Sequence, residues 1–295
     1  METYESKVAR EGLGFGEGPR WHDGRLWFSD FYRNAIFSID ENCGDERLEH
    51  SVPNQPSGLG WLPNGDLLYV SMTDHKVMRL SNGVASEFAD ISEHCGFWAN
   101  DMLVSPSGFS YVGNFGFDLH GWIEEKGAAE VLFNPLPSTN VVVLNPEGKI
   151  IQVVPDLFFP NGTVLSADNK TLMVGETFGR SITAFDVAED GTLSNRRVWA
   201  DVTGMNPDGN CIDDEGQIWM ANPNPFDHGI VRVKEGGEIT ARVNTTDVTF
   251  ACAMGGADLK TLYIFTAPDS SPSVVKGNRL GKIETVRVPV GGQKR

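Results

Sequence analysis

A short turn followed by an apolar strand recurs six times along the chain, and this repeat limits the available folds more than any other feature. The repeats are spaced by 42, 42, 62, 46 and 44 residues. A period in the forties with strand patterning inside each unit is typical of a β-propeller with four strands per blade. We therefore predict an all-β, six-bladed β-propeller with four antiparallel strands per blade, formed as a single domain by residues 1–295. The anchor residues of the six repeats are Trp27, Tyr69, Tyr111, Met173, Trp219 and Tyr263.

The one long step between anchors contains an insertion at about residues 115–139. Its apolar and aromatic residues, together with His120, lie outside the repeat and indicate a loop over one end of the propeller. A substrate lid and a surface excursion packed on a blade are both compatible with this pattern. Residues 282–288 resemble a final strand, and residues 5–10 are expected to supply an outer strand to the same blade, which would close the ring.

The charge balance excludes one class of partner. The chain has 40 acidic and 24 basic residues and a net charge of −16, whereas nucleic-acid binding requires clustered Lys and Arg. No apolar run approaches the ~18 residues of a membrane helix, and residues 1–7 lack the apolar segment of a signal peptide. The four widely spaced cysteines are typical of free thiols. We expect a cytoplasmic protein, monomeric or homodimeric, without a nucleic-acid or membrane partner.

Four oxygen-bearing residues occupy corresponding places in the repeat, ten to twelve residues before an anchor: Glu17, Asn100, Asn161 and Asp208. The innermost strand of each blade should begin there, and inner strands line the central channel, so these side chains are expected to converge. An all-oxygen set suits a hard divalent cation, with Ca²⁺ favoured and Mg²⁺, Mn²⁺ or Zn²⁺ still open. Asn and Asp before Gly also form turns, so the prediction depends on the shared register rather than on any one residue.

Several segments resemble a known family. They are Phe-Gly-Glu-Gly-Pro-Arg-Trp at 15–21, Asn-Asp at 100–101, Asn-Gly at 161–162 and Pro-Asp-Gly at 207–209. In this order the chain resembles the SMP-30/gluconolactonase/LRE-like family of six-bladed propellers. The resemblance implies a divalent cation held by Glu17, Asn161 and Asp208, with Asn100 contacting substrate or water. It also implies lactone hydrolysis, with Asp208 as the general base.

Two positions depart from the family pattern. Sugar-lactone members commonly carry Arg two positions before the channel Asn, where this chain has Trp98, and often Gly where it has Met102. The departures predict a small-molecule lactone with an aromatic or apolar substituent rather than a sugar lactone. Two alternatives stay open: other ester-directed or non-hydrolytic chemistry, as in strictosidine-synthase-like or paraoxonase-like propellers, and a binding propeller with a structural ion. The predicted substrate contacts are Trp98, Asn100, Asp101, Phe115, His120, Trp122 and Phe178.

Overall fold

Six antiparallel sheets follow one another along the chain in the computed structural model, which describes residues 1–127, 131 and 134–294. Each sheet is a blade. In the first four blades the strands follow one another outward from the channel in chain order, and in the last two an N-terminal strand lies outermost. All six anchor residues lie in the second strand of their blade, and five of them have buried side chains, whereas Trp27 is partly exposed. The predicted six-bladed β-propeller with four antiparallel strands per blade is confirmed.

The first three blades contain residues 16–157. Their inner strands are the ones that reach the channel, and their outer strands are mostly exposed. The strands are β3 (Gly16–His22), β4 (Arg25–Asp30), β5 (Ala35–Ile39), β6 (Arg47–Ser51), β7 (Pro56–Trp61), β8 (Leu67–Ser71), β9 (Lys76–Ser81), β10 (Val84–Asp90), β11 (Ala99–Val104), β12 (Ser110–Asn114), β13 (Thr139–Leu144) and β14 (Ile150–Leu157).

The last three blades repeat this plan and contain the closure of the ring. The strands are β15 (Pro160–Leu165), β16 (Thr171–Glu176), β17 (Ser181–Val187), β18 (Leu193–Asp201), β19 (Asn210–Ile212), β20 (Ile218–Asn222), β21 (Gly229–Val233), β22 (Ile239–Asn244), β23 (Val248–Gly255), β24 (Thr261–Ala267) and β25 (Gly281–Arg287).

The N-terminal segment closes the propeller with two strands, β1 (Glu2–Glu5) and β2 (Lys7–Leu13). β2 pairs antiparallel with β25, so the first part of the chain supplies the outer strand of the last blade, as predicted. β1 pairs in parallel with β22 and adds a fifth strand to the neighbouring blade, which the repeat pattern did not predict. The N-terminal segment therefore joins the last two blades through main-chain hydrogen bonds.

The predicted insertion at 115–139 contains a short helix, α1 (Leu119–Lys126). The helix begins after Asp118, whose side chain accepts a hydrogen bond from the Gly121 N–H, as expected for an N-terminal cap. Phe115 and Phe117 are buried in the largest apolar cluster, so this part of the insertion packs on the propeller. Residues 128–130, 132 and 133 of the predicted insertion lie outside the described residues.

A second short helix, α2 (Pro272–Val275), interrupts the connection between β24 and β25. It approaches the insertion, because the His120 Nε2 atom lies 3.3 Å from the Ser270 hydroxyl. Within the described part of the chain, neither helix has the length and apolarity needed to cross a bilayer.

Candidate active site

A cavity of about 330 Å³ lies at the axis of the propeller. Its position follows from its lining, since five blades contribute residues at or next to their inner strands and blade two contributes Met72, just after its second strand. The insertion and the connection that carries α2 border the same space. The cavity is therefore the place where segments far apart in sequence meet.

The four predicted channel residues all line this cavity. Asn100, Asn161 and Asp208 are each less than a tenth exposed, whereas Glu17 is partly accessible because it opens on the cavity itself. We call Glu17, Asn100, Asn161 and Asp208 the hub residues. The structure brings them together from blades one, three, four and five.

Local backbone features place the hub side chains. The register of the inner strand shifts between Glu17 and Arg20, between Ala99 and Met102, and between Pro160 and Thr163, so three hub residues lie at irregular points of their strands. Such bulges commonly re-aim a side chain beside an active site.

The inner strands also approach one another unusually closely. A Cβ atom at Gly162 would lie 2.3 Å from the Asp208 carbonyl oxygen, so only glycine fits after Asn161. The Gly after Asn161 and the Gly after Asp208 thus allow close contact between blades.

A chain of hydrogen bonds joins two hub residues, Asn100 and Asn161, to each other and to neighbouring blades. The Ser57 hydroxyl donates to Asn100 Oδ1 over 3.1 Å, and Asn100 Nδ2 lies 3.4 Å from Asn161 Oδ1. Asn161 Nδ2 then donates to the Thr177 hydroxyl over 3.2 Å, and Thr177 donates to the Pro207 carbonyl over 2.7 Å. The side-chain amides are thereby held in fixed positions beside the two carboxylates.

The two hub carboxylates repel each other in a buried setting. Burial raises the pKa of Glu17 well above its usual range, and the charges of Asp208 and Asp101 raise it further. Burial and then the charge of Asp101 raise the pKa of Asp208, although hydrogen bonds from Gly209 and Asn161 lower it. Ionised together, the pair needs a compensating positive charge.

The donor set fits a hard divalent cation. Carboxylate and carboxamide oxygens are the ligands that Ca²⁺ and Mg²⁺ prefer. The described lining contains three acids, Glu17, Asp208 and Asp269, and neither Lys nor Arg. Within the described residues no group of three His, Cys, Asp or Glu is arranged to hold a metal ion, so the asparagine oxygens would have to complete any set at the hub.

Eight of the other lining residues are aromatic, and they form two groups that we call the aromatic walls. In the first, Phe15 contacts Phe250 and Phe31, with ring centroids 4.8 and 5.4 Å apart. In the second, Phe115 and Phe159 have centroids 4.5 Å apart. The cavity is thus polar at the hub and apolar along its sides. The walls consist of Phe15, Phe31, Tyr32 and Phe250, and of Trp98, Phe115, Phe159 and Phe178.

Most of the predicted substrate contacts line the cavity, namely Trp98, Asn100, Phe115, His120 and Phe178. His120 lies beside the loop before α2, and burial lowers its pKa, so its imidazole is neutral at pH 7. The insertion therefore contributes directly to the cavity, through α1.

Two predicted substrate contacts, Asp101 and Trp122, are not among the residues that line the cavity. The Asp101 carboxylate accepts a hydrogen bond from Arg20 Nη2 over 3.1 Å. Trp122 packs against Phe117 and beneath the ammonium of Lys126.

Sequence reasoning missed several lining residues that it could have found. Phe15 and Asn206 each precede a hub residue by two positions, as Trp98 and Phe159 do. Side chains two positions apart along a strand share a face, so this spacing was a usable signal. The contributions of Tyr32, Ser270 and other connecting segments have no such signal.

Comparison with known proteins agrees with this architecture. A family model described as SMP-30/Gluconolactonase/LRE-like region matches residues 15–268. Regucalcin of Gallus gallus is 27% identical over 272 residues, covering 89% of this chain and 86% of that protein. A pentonolactonase of Haloferax volcanii is 26% identical over 272 residues, covering 89% and 84%.

Solved structures show the same fold. A calcium-binding protein, regucalcin, from Agrobacterium tumefaciens superimposes with a TM-score of 0.77 at 20% identity, covering 100% of this chain and 97% of that one. The family match includes every hub residue and extends over most of the sequence. The chain therefore belongs to the SMP-30/gluconolactonase/LRE-like family, as the sequence motifs predicted.

Proposed function

We propose that this protein is a hydrolase that opens a lactone, with a divalent cation bound at the hub. One observation carries the proposal: oxygen-bearing side chains from four blades meet in a cavity that also contains the two aromatic walls. Membership of a family that includes named lactonases supports the reaction type. A purely structural ion is less well supported, because the hub residues open on a cavity that can admit a small molecule.

Glu17, Asn161 and Asp208 would hold the cation, with Ca²⁺ favoured over Mg²⁺, Mn²⁺ and Zn²⁺ because the ligands are all oxygen. When bound, such an ion supplies Lewis-acid polarisation of an ester carbonyl. The hydrogen-bonded amide of Asn100 would orient the substrate or a water molecule beside it.

Asp208 would act as the general base. A water oxygen attacks the ester carbonyl carbon, and the Asp208 carboxylate accepts a proton from that water. The bond between the carbonyl carbon and the ring oxygen then breaks. The proton held by Asp208 passes to the leaving alkoxide, giving a hydroxy acid and restoring the carboxylate.

The aromatic walls favour an aromatic or apolar substituent on the lactone. Trp98 and Phe15 lie directly beside the hub, two positions before Asn100 and Glu17, so they would contact the part of the substrate next to the ester. A sugar hydroxyl that faces these rings would lack a hydrogen-bond partner there, which costs binding free energy. We therefore place sugar lactones second.

A lactone panel tests this proposal. Aryl- and alkyl-substituted lactones and gluconolactone are assayed with wild-type protein, with chelator-treated protein and with Asp208→Asn. Hydrolysis should depend on added cation and should fall in Asp208→Asn, while Asp23→Asn, an exposed acid, should match wild type. Hydrolysis that survives both chelator and Asp208→Asn would contradict the mechanism. Cation binding without hydrolysis of any lactone would favour the structural-ion alternative.

A further inference from the structure

An arginine crosses the channel immediately behind the hub. Arg20, three residues after Glu17 on β3, donates from Nη2 to Asp101 Oδ1 over 3.1 Å and to the Met102 carbonyl over 2.7 Å. Its Nη1 donates to the Pro19 carbonyl over 2.9 Å. The guanidinium is thus fixed between blades one and three, and the side chain is only 20% exposed.

Asp101 is the carboxylate that this arginine holds, and it adjoins hub residue Asn100. It is 8% exposed and also accepts a hydrogen bond from the Met102 N–H over 2.8 Å. After burial, its charge is among the causes that raise the pKa of both Glu17 and Asp208, whereas the charge of Arg20 lowers the pKa of Glu17. The Arg20–Asp101 pair thus adjoins the hub from two sides, next to Asn100 on β11 and on the same strand as Glu17, β3.

We propose that Arg20 sets the charge of the cation site by neutralising Asp101, so that the hub presents two negative charges and matches a divalent ion. This inference depends on the proposed cation site at the hub. Three carboxylates and one guanidinium give a net charge of −2; without Arg20 the same groups give −3. Arg20 acts through the field at the ion and through the position of Asp101, and it is a positioning residue rather than a ligand.

The proposal predicts opposite effects on cation affinity for substitutions of Arg20 and of Asp101. Arg20→Met removes a positive charge near the ion and should tighten binding of Ca²⁺ about tenfold, by the size of a Coulomb interaction at the effective dielectric of a protein. The affinity for Tb³⁺ should increase by a larger factor, because the change in Coulomb energy is proportional to the charge of the ion. Asp101→Asn should weaken binding of both ions, and the double variant, again at −2, should lie within about threefold of wild type.

The experiment is calorimetric titration of chelator-treated protein with Ca²⁺ and separately with Tb³⁺, using wild type and these three variants. Arg25→Met is the matched control, because Arg25 has the same charge and pairs with an acid, Asp45, at the outer part of blade one. Its affinity should stay within about twofold of wild type.

A merely structural bridge between blades predicts a different result, in which both single variants and the double variant weaken binding together. That outcome, or equal affinities for Arg20→Met and Arg25→Met, would overturn the inference while leaving the lactonase proposal intact. Wild-type protein that binds neither ion would overturn both. If Arg20→Met does not fold, Asp101→Asn and Arg20→Lys decide the matter: weakened binding in the first and near-wild-type binding in the second support the inference, and any other pair of results contradicts it.

Discussion

Blade five contains two buried acids five residues apart, Asp208 and Asp213, with opposite surroundings. Asp213 accepts hydrogen bonds from Arg232 Nε over 2.7 Å, from Trp219 Nε1 over 3.1 Å and from the Gln217 N–H over 3.1 Å. Asp208 instead faces the cavity, where the nearest strong charges are other carboxylates. Both acids are buried, but only Asp213 has a positively charged partner. This difference distinguishes an acid that stabilises the fold, Asp213, from a candidate functional acid, Asp208.

The same contrast holds between Glu17 and a deeply buried acid of the last blade, Glu284. Glu284 is fully buried and accepts hydrogen bonds from Ser6, Thr246 and Thr266, and it ties the N-terminal segment to the last blade. Glu17 accepts a hydrogen bond from the Gly18 N–H over 3.2 Å and opens on the cavity. A buried acid with many protein donors stabilises the fold, whereas one that faces other acids is available for a cation or a proton.

The largest expected effect is a loss of catalytic activity that distinguishes Asp208 from Asp213. Asp208→Asn should lower kcat/KM for lactone hydrolysis by about a thousandfold, within the range for loss of a general base. It should not lower the free energy of unfolding of the cation-free protein, because it removes one of two repelling charges. Steady-state assays and urea denaturation measure the two effects. Activity within tenfold of wild type would remove Asp208 from the mechanism.

Asp213→Asn should show the reverse pattern. Breaking a buried ion pair leaves the Arg232 guanidinium without its main partner, and the free energy of unfolding should fall by about 3 kcal/mol. Activity per folded molecule should stay within about threefold of wild type. Urea denaturation followed by tryptophan fluorescence is the measurement. A large loss of activity with unchanged stability would reverse the assignment of the two acids.

Trp98→Arg tests the difference between the hub and the aromatic walls. We expect kcat/KM for an aryl-substituted lactone to fall about thirtyfold, in the range for one altered pocket contact, while hydrolysis of gluconolactone holds or rises. Leu48→Arg is the control, since Leu48 is 60% exposed on the outermost strand of blade one and does not line the cavity. An unchanged ratio between the two substrates would show that the wall does not select the substrate.

The smallest expected effect is a pH dependence of stability. Because the folded pKa of Glu17 is raised, its ionisation opposes folding, and this cost appears as the pH rises from the unfolded pKa through the folded one. In chelator, Glu17→Gln should therefore gain stability over wild type between pH 4.5 and pH 8, by on the order of 1 kcal/mol. Added Ca²⁺ should reverse this gain. A stability difference that is independent of pH would mean that folding does not raise the pKa of Glu17.

The sequence was sufficient for the blade count because each anchor lies in a strand covered on both faces. Tyr111 and Trp219, for example, are each 1% exposed, so the apolar pattern of these strands is strong. The pairing of β1 with β22 could not be predicted, because any exposed edge strand offers the same main-chain groups. The helix α1 is only eight residues long, and its periodicity is too weak to detect in an insertion.

The candidate site was predictable where it follows the repeat and not elsewhere. The hub residues share one register, so a ring of blades necessarily brings them together. Asp101, the second residue of the Asn-Asp motif at 100–101, is not part of the cavity lining, and its carboxylate pairs with Arg20. The Arg20–Asp101 pair joins two blades across the channel, and contacts of that kind depend on three-dimensional packing that spacing cannot give.

The most direct test of the central claim is an anomalous difference map from crystals of the protein soaked in Mn²⁺ as a reporter for the divalent site. We predict one strong peak in contact with the side-chain oxygens of Glu17, Asn161 and Asp208, and its loss in crystals of Asp208→Asn. A hub without a peak, or a peak that persists in Asp208→Asn, would contradict the account.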